Sequence, residues 1–323
     1  SASSALLLDS SSQVRYVPDS QNGETATFTF KAWDQTSGTA STNGTPQTAD
    51  ASTSGGTTAF SSTDGTGSLT VTDVNDAPVL APASPTFTTI DEDATSNAGD
   101  TVSSLLGASV SDVDAGAAEG IAVTSLTSGN GTWQFSTNGG STWSDVGAVA
   151  DNSALLLRAN DLLRFVPNGE NGTSASVTYR AWDRTSGTEG NKVDASTNGT
   201  TTAFSTATDT ASITVTAVND APTLSGGTSD LGSTNENTTT GGTAVSAILM
   251  DTGYADVDSG ADSGIAVTAT SANGTWQYST GGSTWTAFGT VSASSALLLD
   301  SASQVRYVPD SENGETATFT FKA

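Results

Sequence analysis

Residues Ser292–Ala323 repeat Ser1–Ala32 with two differences, Ser11 becoming Ala302 and Gln21 becoming Glu312. A third, diverged version fills Asp151–Asp183, so that Pro18, Pro167 and Pro309 stand 149 and 142 residues apart. The chain is therefore a window on a tandem array with a unit of about 145 residues. The expected division is a C-terminal part of one repeat at residues 1–78, a complete repeat at 79–222 and the N-terminal part of a third at 223–323. Such arrays multiply a mechanical or adhesive module, whereas a catalytic site needs one copy. A unit of this length can bury its own core without staples.

Thr, Ser, Gly, Val and Asn are abundant while Lys, Gln and Met are scarce, which disfavours helices and favours strands with tight turns. Short runs of period two alternate with Gly, Asn and Asp turn signals, the pattern of an all-β antiparallel sandwich. In the central unit the alternation predicts strands near Thr86–Ile90, Gly120–Thr127, Thr132–Ser136, Ala154–Arg158, Leu162–Pro167, Ser174–Trp182 and Ala211–Ala217. Short helical turns are expected near Ser103–Leu106 and Ala244–Met250. A long polar excursion separates Trp182 from Ala211, with a counterpart at Asp34–Gly67. A loop this long is expected to form an extra hairpin, using Thr201–Ser205 and Thr57–Ser61 as strands; the alternative is a flexible surface loop that makes contacts. Ser136–Trp143 resembles the Asp-box hairpin of sialidase propellers, with Asn138 in the Asp position. It reads as a structural turn, because the six Arg are too scattered to hold a sugar carboxylate.

A net charge of −25, with nine basic residues, too few to neutralise phosphates, argues against nucleic acid and anionic membranes as partners. No apolar run is long enough to span a membrane. The chain has no Cys and no His, which removes disulfides, zinc sites, thiol nucleophiles and imidazole bases. Only carboxylate pairs remain for catalysis, and none lies outside turn clusters, so no enzyme is expected. Of the acids, 26 are Asp and eight are Glu. Asp serves turns and divalent cations.

Three acidic clusters recur at matching places. The first is Asp91-Glu92-Asp93, replaced in the third unit by Asn235-Glu236-Asn237. The second is Asp112-Val-Asp114-Ala-Gly116, matched by Asp256-Val-Asp258-Ser-Gly260 with Asp262 beyond. The third is the junction, Asn75-Asp76-Ala-Pro78 and Asn219-Asp220-Ala-Pro222. Asp34 or Asp183 is a fourth candidate. Ca²⁺ takes six to eight oxygens, more than one cluster supplies, but clusters converging at one end of a sandwich would suffice. The alternative is that they are Asx-turns. Of the six Asn-x-Ser/Thr sites, five, Asn171 and Asn273 among them, read as ordinary Asn-Gly turns.

As a set, the VNDAP junction, the Asp-Glu-Asp start and the Asp-Val-Asp-x-Gly loop resemble the cadherin-like tandem repeats of giant bacterial surface adhesins. The resemblance covers the whole chain. It implies Ig-like sandwiches strung head to tail as an extended extracellular rod, with Ca²⁺ at the junctions. Carried onto this chain, it assigns Asn75, Asp76, Glu92, Asp112 and Asp114 to the first junction. It assigns Asn219, Asp220, Glu236, Asp256 and Asp258 to the second, which would carry less charge because Asn235 and Asn237 replace Asp91 and Asp93. The function implied is structural and adhesive, with neighbouring repeats as partners in cis. Two further partners stay open: other copies, joined head to tail into a filament, and a cell-surface or glycan ligand gripped by Trp133, Trp143 or Trp182.

Overall fold

The computed structural model describes residues 1–323. The alternation seen in the sequence becomes strands whose side chains point alternately into a core and out of it. Asp209–Thr216 is buried at every second position, and Leu162–Pro167 likewise. All strand pairing stays within residues 1–78, 79–222 or 223–323, and so does each apolar cluster. The chain is all-β apart from three short helical segments, and no helix is long and apolar enough to cross a membrane.

In residues 79–222 a six-stranded and a four-stranded sheet enclose one core. The larger sheet runs in the order Lys192–Val193, Ala154–Arg158, Gly120–Thr127, Thr173–Trp182, Asp209–Thr216, Ile90–Asp91. Its pairings are antiparallel except the last, where Ile90 and Asp91 lie parallel to Val215 and Thr216. The smaller sheet runs Ser144–Asp145, Gly131–Ser136, Leu162–Pro167, Asp100–Thr101. Trp133 sits between them, against Phe87 at 4.9 Å and Phe165 at 5.2 Å between ring centroids. Its indole N–H donates to the Thr127 carbonyl at 2.9 Å, so the buried ring leaves no polar atom unpaired.

The helix Val102–Leu106 closes one end of this core with Val102, Leu105 and Leu106. Thr101 caps it by accepting from the Ser104 N–H, and Gly107 at φ 52° stops it. The equivalent helix, Val245–Asp251, serves the third segment. The Asp-box-like loop forms the expected turn. Asn138 accepts from the Thr142 N–H at 3.0 Å, and Gly131–Ser136 then pairs with Ser144–Asp145.

Two expectations need correction. The Thr86–Ile90 strand shrinks to Ile90–Asp91, with Thr86 making one isolated bridge to Ser212. The hairpin at Thr201–Ser205 does not form. Phe204 makes a single bridge to Trp182, and the excursion instead lies over the outer face of the larger sheet. There Ala195, Ala203 and Phe204 pack on Trp182, Leu156, Ala154 and Ala122. That cover explains why Ala154–Leu157 is buried without interruption: alternate residues face two different cores. In the first segment the return run is one long strand, Phe60–Val71, paired with Glu24–Trp33.

Candidate metal centres at the two junctions

Each junction brings the linker between two segments against the Asp-x-Asp loop of the following one. At the first, the Asp76 N–H donates to Asp114 Oδ2 at 2.8 Å. At the second, the Asp220 N–H donates to Asp258 Oδ2, also at 2.8 Å. Within each loop the second Asp amide donates to the first Asp carboxylate at 3.0 Å, the Asx-turn that the spacing allows. The turn reading and the ligand reading are thus compatible, since each turn uses one oxygen and leaves others free.

The second junction is the denser. Glu92, Asp220 and Asp258 each present a carboxylate oxygen, and these atoms lie within 4.8 Å of one another. Oxygens on opposite sides of one Ca²⁺ stand about 4.8 Å apart, so this spread fits a single coordination shell. Glu92 is fully buried: one oxygen accepts from the Val218 N–H at 2.8 Å and the other has no partner. Asp220 Oδ2 is likewise buried and unpaired. Burial, and then the charges of Asp93, Asp258, Asp256 and Glu170, hold the Asp220 carboxyl above its ordinary range.

The first junction gathers Asp76, Asp112, Asp114 and Asp183. Asp112 Oδ2 and Asp114 Oδ1 are buried without partners. Burial raises the Asp112 carboxyl, and the charges of Asp114, Asp183 and Asp76 add to it against the Asp114 N–H bond. Asp183 is buried at the end of the strand Thr173–Trp182, where its Oδ2 accepts from the Asn75 side chain at 3.0 Å. The carboxylate of its counterpart Asp34 is exposed and accepts only from its own turn at Thr36.

One assignment is corrected. Glu92 belongs to the second junction, not the first. The strand Ile90–Asp91 runs parallel to Asp209–Thr216 and carries Glu92 to the end of the sheet where residue 218 leaves it. The Glu92 N–H donates to the Thr216 carbonyl at 3.0 Å, which locks that position. The second junction therefore draws on Asp91-Glu92-Asp93 and is not the weaker in charge. Glu236 is absent from the carboxylates around Asp220, and its neighbours Asn235 and Asn237 close a turn of their own. Asp91 is exposed and accepts from Thr216 at 2.6 Å, while Asp93 adds charge near Asp220. Asp256 accepts from the Tyr254 hydroxyl at 3.3 Å, and Asp262 lies outside the cluster. Asn75 and Asn219 each tie their amide to the carbonyl of the next Asp.

Of the aromatics considered for a sugar platform, Trp133 and Trp182 are buried. Trp143 is half-buried, with the Arg164 guanidinium 4.0 Å above its ring, and Trp285 and Arg306 repeat the pair at 4.2 Å.

No family model matches the chain, and no curated protein matches it. A solved endo-fucoidan hydrolase from glycoside hydrolase family 107 aligns with 93% of this chain and 41% of its own, at 13% identity and TM-score 0.25. The chain thus spans well under half of that enzyme's length. That neighbour is a glycoside hydrolase, so the expectation that the chain is no enzyme is not borne out. At that TM-score the likeness transfers neither fold nor activity.

Proposed function

We propose that the chain is a structural and adhesive segment of a large extracellular surface protein or fibre, built from Ig-like sandwiches in an extended row and stiffened by Ca²⁺ at the junctions. The resemblance of its motifs to cadherin-like adhesin repeats supports this reading. The observation that carries it is the set of buried, unpaired carboxylate oxygens on Glu92, Asp112, Asp114 and Asp220, two at each junction. Buried anionic oxygens without partners are costly, and a hard cation with oxygen ligands removes that cost. Glu92, Asp220 and Asp258 would hold one ion. Asp76, Asp112, Asp114 and Asp183 would hold its equivalent. An ion at the second junction would join the linker to both neighbours, and one at the first would join the linker to the following segment, so that each stiffens its joint.

A thermal melt of the chain in millimolar Ca²⁺, repeated in chelator and in Mg²⁺, tests it. Ligand at about 1,000 times its dissociation constant adds about 4 kcal/mol of stability. A rise of about 10 °C specific to Ca²⁺ is therefore expected. Identical melts in all three would refute the metal reading and leave the clusters as turns.

A further inference from the structure

Asn22 and Asn171 occupy the same place in the repeat, in the turns Gln21-Asn22-Gly23 and Glu170-Asn171-Gly172. Both reach across a junction to the Asp-Val-Asp loop of the next segment. Asn22 donates its amide N–H to the Val113 carbonyl at 2.9 Å and accepts from the Ala115 N–H at 2.8 Å. Asn171 donates to the Val257 carbonyl at 2.8 Å and accepts from the Ser259 N–H at 2.7 Å. Each carboxamide therefore grips the backbone on both sides of one residue, and that residue is Asp114 or Asp258. A carboxamide offers a donor and an acceptor in one plane, as a peptide does; a carboxylate offers only acceptors.

Asp258 contributes one of the three converging oxygens at the second junction, and its carboxylate accepts from the Asp220 N–H of the linker. We infer that Asn171, and Asn22 in the same way, are positioning residues that clasp the ligand loop of the following segment. The clasp sets the loop's place before any cation arrives, so the carboxylates need little ordering when one binds. It also couples neighbouring segments without metal. The effect on cation affinity rests on the calcium reading; the effect on junction order does not. Asn313, in the turn Glu312-Asn313-Gly314, carries the same residues.

The test compares the full chain with its Asn171→Ala and Asn171→Asp variants. Amide hydrogen exchange at Ser259, measured in chelator, reads the clasp alone. Calorimetric titration with Ca²⁺ reads the positioning, and the first junction, with Asn22 intact, is the internal reference. Exchange at Ser259 is expected to quicken roughly tenfold in Asn171→Ala, since it loses its hydrogen bond. Asn171→Asp keeps the acceptor and should fall between. One of the two Ca²⁺ sites is expected to weaken roughly tenfold in Asn171→Ala, while Trp fluorescence of the folded core stays unchanged. Unchanged exchange at Ser259 would overturn the clasp. Faster exchange with both Ca²⁺ sites intact would overturn the positioning role. If the unaltered chain binds no Ca²⁺, the metal reading fails and the exchange result still decides the clasp.

Discussion

Carboxyl groups in this chain depart from the ordinary Asp value of 3.8 in two opposite directions, for two local reasons. Asp34, Asp50 and Asp194 are lowered, because a Ser or Thr two residues on donates both its hydroxyl and its amide to them. Asp112 and Asp220 are raised by burial and then by like charges. The lowered group stabilises the fold fully above 3.8, and that contribution is lost as pH falls through the folded value. The raised pair stabilises it fully below 3.8, and that contribution is lost as pH rises through the folded value. The two windows lie on opposite sides of one pH. In chelator, the melting temperature should therefore decline as pH rises above about 4. Asp112→Asn with Asp220→Asn should flatten that decline, and Ca²⁺ should reverse it, because the ion needs the deprotonated form. A pH series of melts decides it: an equal decline in the double variant would place the titrating groups elsewhere.

At the scale of elements, local pattern and long-range pairing part company. Gly120–Thr127, Ala154–Arg158 and Leu162–Pro167 are strands over the expected bounds, since period two and flanking turn residues mark them without outside help. Ile90–Asp91 was not legible in this way: its partner lies about 125 residues on, and only that parallel pairing shows to which end Glu92 travels. The acidic clusters were therefore readable as clusters, and the grouping of Glu92 with Asp220 and Asp258 was not. The Asn22 and Asn171 clasps carried no signal beyond an Asn-Gly turn. The excursion after Trp182 hid its role because its apolar residues follow no period; Ala195, Ala203 and Phe204 cover a sheet face as separate plugs. Trp182 is their common anchor, with its indole N–H donating to the Ser186 carbonyl at 2.8 Å. Trp182→Ala should cost about 3–5 kcal/mol, as for other buried aromatics. Urea unfolding would measure this, and limited proteolysis should find new cleavage within residues 183–208. A loss below about 1 kcal/mol would mean that the excursion adds little to the sheet it covers.

Across the whole molecule the near-identical end segments make an internal experiment. Gln304–Val308 is a strand, with Val305 and Tyr307 buried against Trp276 and its neighbours. Gln13–Val17 has almost the same surroundings in sequence yet forms no strand, and Val14, Tyr16 and Val17 are 59%, 43% and 69% exposed. Phe28 and Phe30 are half exposed, while Val177 and Tyr179, their counterparts in the complete unit, are fully buried. The difference lies in what faces the segment. Residues 304–308 pair with Thr275–Ser279 and with Thr243–Ala244, whereas residues 13–17 have no such sheet beside them. Strand preference is thus expressed only where a partner sheet supplies cross-strand contacts and burial. The apolar clusters rank the same way, with four buried residues in the first segment, ten in the third and twenty in the main core of the second. Stability should follow that order, with local opening nearly free around residues 13–17. Native-state hydrogen exchange offers a clean reading, because Gln13–Val17 and Gln304–Val308 share one sequence and hence almost the same intrinsic rates. Amides of 304–308 should exchange slower than those of 13–17 by roughly a thousandfold or more, a difference of about 4 kcal/mol in opening free energy. Equal protection in the two would mean that the first segment finds a cover for its apolar face in solution, and that the array closes its sandwiches between molecules.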